Sequence, residues 1–207
     1  MKIVLASKSP YRQKILSQLG LAFDVCPSRY EEIIKRDQNC EDQVKIFSLG
    51  KALEVSDRLN LEEDHLIIGV DTMVEVEGET LGKPLSVDEA KLMLQSYAGK
   101  KQKVITGVSL KGSFHGWPVE HTFTDTANVF FSESISETAL DSILATGEWK
   151  GKCGGYSVVG WSSVLIDRVE GDYNTIIGLP VKSLVLELES LMGGVFWDVF
   201  DGLNIEL

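Results

Sequence analysis

The segment spanning residues 1–18, MKIVLASKSPYRQKILSQ, constrains the fold more than any other stretch of the chain. It predicts a short buried strand that hands over directly to a helix. Ile3, Val4 and Leu5 form the apolar run. Ser7 or Ser9 can cap the helix, and Pro10 suits its first turn, where a missing N–H costs nothing. Arg12 then falls at the positive end of the helix dipole, where a cation is mildly unfavourable. The arrangement makes sense if an anion shares the site, because free backbone N–H groups, two hydroxyls and a guanidinium converge there. That points to phosphate. The plain alternative is an ordinary strand–helix turn with a solvated arginine.

Beyond this unit the pattern predicts a helix over 10–19 stopped by Gly20, and a strand over 22–26. A long amphipathic helix follows over 41–59, with Gly50 inside it at a cost of about 1 kcal/mol relative to alanine. The buried run His65–Val70 ends on Asp71-Thr72, strand resumes over 73–76, and Glu77-Gly78-Glu79 makes a hairpin turn. Capped helices are expected over 86–97 and 136–145. Paired strands over 103–110 and 120–131 flank a turn over 111–118. A glycine-rich loop covers 151–160, a strand 163–169, and a last helix starts at Pro180.

The formal net charge of −11 argues against nucleic acid or an anionic membrane as partners. A nucleotide would be repelled too unless its pocket were locally basic, which gives weight to Arg12, Lys51, Lys83 and Lys152, each beside a Gly, Pro or Ser turn. No apolar run approaches membrane-spanning length, and the start is too quickly polar for a signal peptide. Cys26, Cys40 and Cys153 suggest neither a disulfide framework nor a zinc site, which fits a reducing cytoplasm. Phosphate-loop, dinucleotide and nucleophile-elbow motifs are absent, and the three histidines lack metal-ligand spacing.

Asp71 is the best single catalytic candidate. It ends an apolar strand, and in open α/β sheets ligands gather beyond the carboxyl ends of strands. A carboxylate there can hold a divalent metal or orient a water; otherwise it begins a turn. Gly82-Lys83-Pro84 sets an ammonium on a stiff loop, a point charge suited to phosphate. Glu31 and Glu32 can add a metal ligand, or be surface glutamates.

In order along the chain stand LASxSPxR, the Lys51-Ala52 pair, GxDT at 69–72, GKP at 82–84, VxTGV at 104–108 and GDYNTIIGLP at 171–180. This series closely resembles the Maf family of nucleoside-triphosphate pyrophosphatases over roughly residues 1–192. The resemblance implies an α/β fold with a central mixed sheet flanked by helices, and two lobes around a deep nucleotide cleft, related to the inosine-triphosphate pyrophosphatases. It implies hydrolysis of a nucleoside triphosphate to monophosphate and pyrophosphate with Mg²⁺ or Mn²⁺, in a house-cleaning role. On it, Ser7 and Arg12 are phosphate-binding positions, Lys51 and Lys83 active-site lysines, and Asp71 the catalytic aspartate. Glu31 and Glu32 stand at an acidic pair beside the metal, and Thr72 follows Asp71 as in the dTTP/UTP branch. Lys152 opens the substrate loop.

That loop, KAGAYGIQG in the family, is here KCGGYSVVG over 152–160. Val159 replaces a glutamine associated with the pyrimidine branch, Gly151 an acidic residue, and Gly50 a glutamate. The phosphate machinery is intact while the base-reading machinery is altered. A rival reading is a non-catalytic, nucleotide-sensing regulator of cell division on the same scaffold. The apolar stretch over 193–207 lies outside the resemblance; it is expected to pack on the body or on a second subunit, leaving room for a homodimer.

Overall fold

A computed structural model describes residues 1–35 and 38–193. The expected apolar extension over 194–207 lies outside the described residues. Strand and helix alternate as β1 (Lys2–Leu5), α1 (Pro10–Gln18), β2 (Asp24–Val25), α2 (Cys40–Leu59), β3 (His65–Val76), β4 (Glu79–Leu81) and α3 (Val87–Gln95). Then come β5 (Lys101–Phe114), β6 (Trp117–Phe131), α4 (Glu137–Ala145), β7 (Ile166–Glu170), α5 (Tyr173–Ile177) and α6 (Val181–Met192). Two 3₁₀ turns precede β7: Cys153–Gly155 within the glycine-rich loop and Trp161–Leu165 directly after it.

The strands form one mixed sheet of order β2-β1-β3-β5-β6-β7, with β4 added to β3. β1 runs parallel to β2 and β3, and the other pairs are antiparallel. Alternation along the strands puts helices on both faces. Ile3 and Leu5 pack with Ile15, Leu16 and Leu184 from α1 and α6. Val4 and Ile67 face Ala52 and Val55 of α2 instead. A second core under α3 and α4 gathers Leu94, Tyr97, Val129, Leu140 and Tyr156. Among the described residues, no helix is long and apolar enough to cross a membrane.

Most helix ends fall where the caps predict. Ser9, Ser86 and Ser136 are N-caps, and Ser86 Oγ accepts from Glu89 N at 3.1 Å. Three expectations need correction. The strand expected over 163–169 begins only at Ile166, because residues up to Leu165 close a 3₁₀ turn. Residues 111–118 are not a long turn: β5 and β6 stay paired from Lys101↔Phe130 to Phe114↔Trp117. The turn is His115-Gly116 alone, both with positive φ, the backbone of a tight hairpin. Asp71 does not end a strand either. β3 is continuous over its 12 residues because β5 pairs with it from His65 to Glu75.

The opposite edge of β3 is only partly covered. β1 pairs with it from His65 to Ile68, and β4 from Val74 to Val76. Between them, residues 69–73 have one edge without a strand partner. The candidate site lies against that gap.

Candidate active site

An uncovered strand edge leaves backbone groups that must find other partners. The carbonyl of Val70 finds two: Arg12 Nη1 donates to it at 3.1 Å and Lys51 Nζ at 3.2 Å. Lys51 reaches across because α2 lies unusually close to the sheet. A side chain at Gly69 would overlap the Ser48 carbonyl, and one at Gly107 would stand 2.5 Å from the Val44 carbonyl. The glycines of the GxDT and VxTGV motifs are therefore helix–sheet contact points.

Asp71 is buried, 6% exposed, and its Oδ1 lies 2.6 Å from Lys51 Nζ. Glu32 Oε1 sits 2.6 Å from the same ammonium, so Lys51 bridges two carboxylates and a carbonyl. Burial pushes the Asp71 carboxyl above the usual aspartate range, against the opposing pull of Lys51. For Glu32 the burial cost is outweighed by the Lys51 hydrogen bond and by the charges of Lys51, Lys83 and Arg12, and its pKa falls. Glu31 is exposed and does not line the cleft; of the acidic pair, the structure brings only Glu32 to Lys51.

Arg12 is engaged by the protein itself. Its Nε donates to Gly178 O at 2.8 Å, Nη1 to Ser7 Oγ at 3.0 Å and to Val70 O, and Nη2 to Thr72 Oγ1 at 3.0 Å. Four of its five N–H donors are used, leaving one. The Thr72 hydroxyl lies 2.9 Å from Thr106 Oγ1, which donates to Thr175 O at 2.7 Å. The proton order is thereby set from Arg12 through Thr72 and Thr106 to the Thr175 carbonyl. Burial lowers the Arg12 pKa, with Asp71 and Glu32 acting to raise it. GDYNTIIGLP supplies the far end. Asp172 caps α5 through Asn174 N at 2.8 Å, and Gly178, at φ 111°, turns its carbonyl onto Arg12.

These groups floor a cleft of about 950 Å³. Ser7, Arg12, Glu32, Lys51, Asp71, Thr72, Lys83 and Lys152 all line it. Lys83 is exposed on its loop, which is tied to the glycine-rich loop by Gly154 N donating to Gly82 O at 3.0 Å. Lys152 Nζ donates to the Glu148 carbonyl at 2.7 Å. Val159 lines the cleft and is half exposed. Sequence reasoning missed Lys8, Lys150 and Cys153, which also line it. Lys8 stands at the variable position of LASxSPxR, and Cys153 in the loop where the family pattern has alanine. Burial raises the Cys153 thiol pKa, although Lys83 acts to lower it.

Six cations thus face two carboxylates in the cleft of a protein whose net charge is −11. Among the described residues no cluster of three or more His, Cys, Asp or Glu is disposed to hold a metal ion. Asp71 and Glu32 nonetheless already share one cation, the Lys51 ammonium. Two carboxylates of this kind fit Mg²⁺, which takes its remaining ligands from substrate phosphates and water.

Fold and site together define an α/β protein with a cationic cleft at an uncovered strand edge, and the chain belongs to the Maf-like protein family, whose sequence model matches residues 2–191. Relatives named dTTP/UTP pyrophosphatase from Bacillus cereus (strain B4264) and Bacillus anthracis are each 36% identical over 188 residues, covering 91% of this chain and 94% of theirs. The solved structure of the Staphylococcus aureus Ham1 protein aligns with a TM-score of 0.41 at 13% identity, covering 66% of this chain and 74% of that one.

Proposed function

We propose that this chain is a nucleoside triphosphate pyrophosphatase, cleaving its substrate to the monophosphate and pyrophosphate in a house-cleaning role. The observation that carries the reading is the buried Asp71 beside Lys51 at the floor of a cleft where cations outnumber carboxylates in an acidic protein. The relatives' names make dTTP and UTP the first substrates to try. Three free cysteines fit a cytoplasmic setting.

Cleavage between the α- and β-phosphorus needs a positioned water and positive charge where pyrophosphate departs. Asp71 is the group to orient that water and accept its proton, because burial raises its pKa and makes the carboxylate a better base. Lys51 holds Asp71 and Glu32 in place. Lys8 and Lys83 make no hydrogen bond or ion pair among the described residues, so their ammonium groups are available to the polyphosphate. Arg12 offers its remaining N–H and, chiefly, braces Ser7 and Thr72 beside the tail. Asp71 and Glu32 are the residues to hold a divalent cation, which when bound would neutralise phosphate charge and lower the pKa of a bound water.

Val159 presents a hydrocarbon on the cleft wall. Sites that hydrogen-bond a substrate discriminate far better than apolar ones, so the choice of base should be broad.

Pyrophosphate and orthophosphate release from a panel of common and modified nucleoside triphosphates, with Mg²⁺ or Mn²⁺, tests the reading. Pyrophosphate from at least one triphosphate is expected. Orthophosphate alone, or no turnover across the panel, refutes it.

A further inference from the structure

Glu32 belongs to no helix or strand, yet it meets Lys51 at 2.6 Å. Its side chain is 38% exposed, and an exposed ion pair is worth less than the backbone ordering of even one residue. Something other than the ion pair must therefore hold this segment, and α2 supplies it. Glu54 Oε2 accepts from Ser28 Oγ and from Arg29 N, each at 3.0 Å. Gln43 Oε1 accepts from Lys35 N at 2.7 Å. Midway between these anchors the Tyr30 ring lies over Gly50, where any Cβ would overlap it, and tilts against Phe47 at a centroid distance of 6.3 Å. Positions 54, 50, 47 and 43 share one face of a helix, so the segment runs antiparallel along a stripe of α2. Tyr30 is the anchor nearest Glu32, and Gly50 is next to Lys51.

We propose that Tyr30, seated in the notch left by Gly50, is a positioning residue: it sets Glu32 on Lys51 and so fixes the ammonium between Glu32 and Asp71. The consequence for catalysis rests on the pyrophosphatase reading, whereas the geometry does not.

Gly50→Ala isolates the effect. Alanine favours the helix that glycine weakens, while its Cβ evicts the ring. In pyrophosphate release from the best triphosphate, G50A should lower kcat/KM between about ten- and a hundred-fold, the scale of a misplaced active-site group. E32Q should also lower it, and the double variant should fall no further than E32Q alone, because both changes break one contact. Tyr30→Phe keeps the ring and should keep wild-type kcat/KM. Wild-type kcat/KM in G50A, or multiplied losses in the double variant, overturns the proposal. In the nucleotide-free protein, NMR cross-peaks from the Tyr30 ring to the Phe47 ring and from Glu32 to Lys51 should both be present, and both be lost in G50A. If the wild type releases no pyrophosphate, the functional reading fails by itself. The cross-peaks then decide the positioning: Glu32–Lys51 retained after Tyr30 is displaced refutes it.

Discussion

Arg12→Lys separates two jobs that a phosphate-site arginine can do. The guanidinium donates to four protein acceptors on α5's C-terminal turn, the first loop and β3, so its main task is to brace these elements. Lysine keeps the charge but offers one compact ammonium, which can satisfy about two of four acceptors arrayed around a planar fork. Each charge-assisted bond lost costs about 1.5–3 kcal/mol. Water from the cleft offsets part of two such losses, leaving a net destabilisation of about 3 kcal/mol. For a chain of this size that lowers the melting midpoint by about 6–12 °C. Thermal melts of the nucleotide-free protein, with urea titrations showing an unchanged m-value, measure it. A midpoint within about 2 °C of wild type, well below that range, together with lost activity, would mean that Arg12 serves substrate phosphate and not the fold.

Asp71→Asn should reduce turnover by orders of magnitude while nucleotide binding persists, since the amide keeps the shape but accepts no proton; single-turnover rates and equilibrium binding of a triphosphate check both halves. Glu54 is held down to about 2, first by its hydrogen bond from Arg58 and then by Arg29 N and Ser28 against the cost of burial. A depressed carboxyl contributes stability above its ordinary 4.5 and loses it as pH falls from there through about 2. The pH-dependence of unfolding over that window should therefore flatten in Glu54→Gln; an unchanged slope contradicts it. Val159→Gln should sharpen preference for dTTP and UTP, read as kcat/KM across a nucleotide panel. A wild type already strictly selective for those two would show that another residue reads the base.

Local chemistry carried much of this in the sequence. Serine caps at 9, 86 and 136 with apolar spacing behind them mark helix starts, and the structure places them there. Six of the eight cleft residues gathered above were candidates through charge, hydroxyl chemistry and their place at a turn or strand end; Thr72 came only with the family resemblance, and Glu32 came paired with a neighbour that stays outside. A charged residue in an apolar run looks like an end, so the sequence suggests a break at Asp71-Thr72 that β3 does not have. Only the long pairing with β5 keeps the strand going. Gly50 looked like a weak spot in a helix, since nothing local announces an aromatic ring from twenty positions earlier.

The sequence by itself determined the elements, the acidic balance and the set of phosphate-compatible side chains, because caps, periodicity and residue type act over a few positions. Tertiary structure decided what those side chains do. Strand order left the edge of β3 open between β1 and β4. An open edge exposes carbonyls, the Val70 carbonyl drew Arg12 and Lys51 inward, and glycines at 69 and 107 let α2 come close enough for Lys51 to join Asp71 and Glu32. Contacts between residues 19 to 166 positions apart depend on how strands are ordered and how closely helices pack, and neither is written in any local stretch of chain.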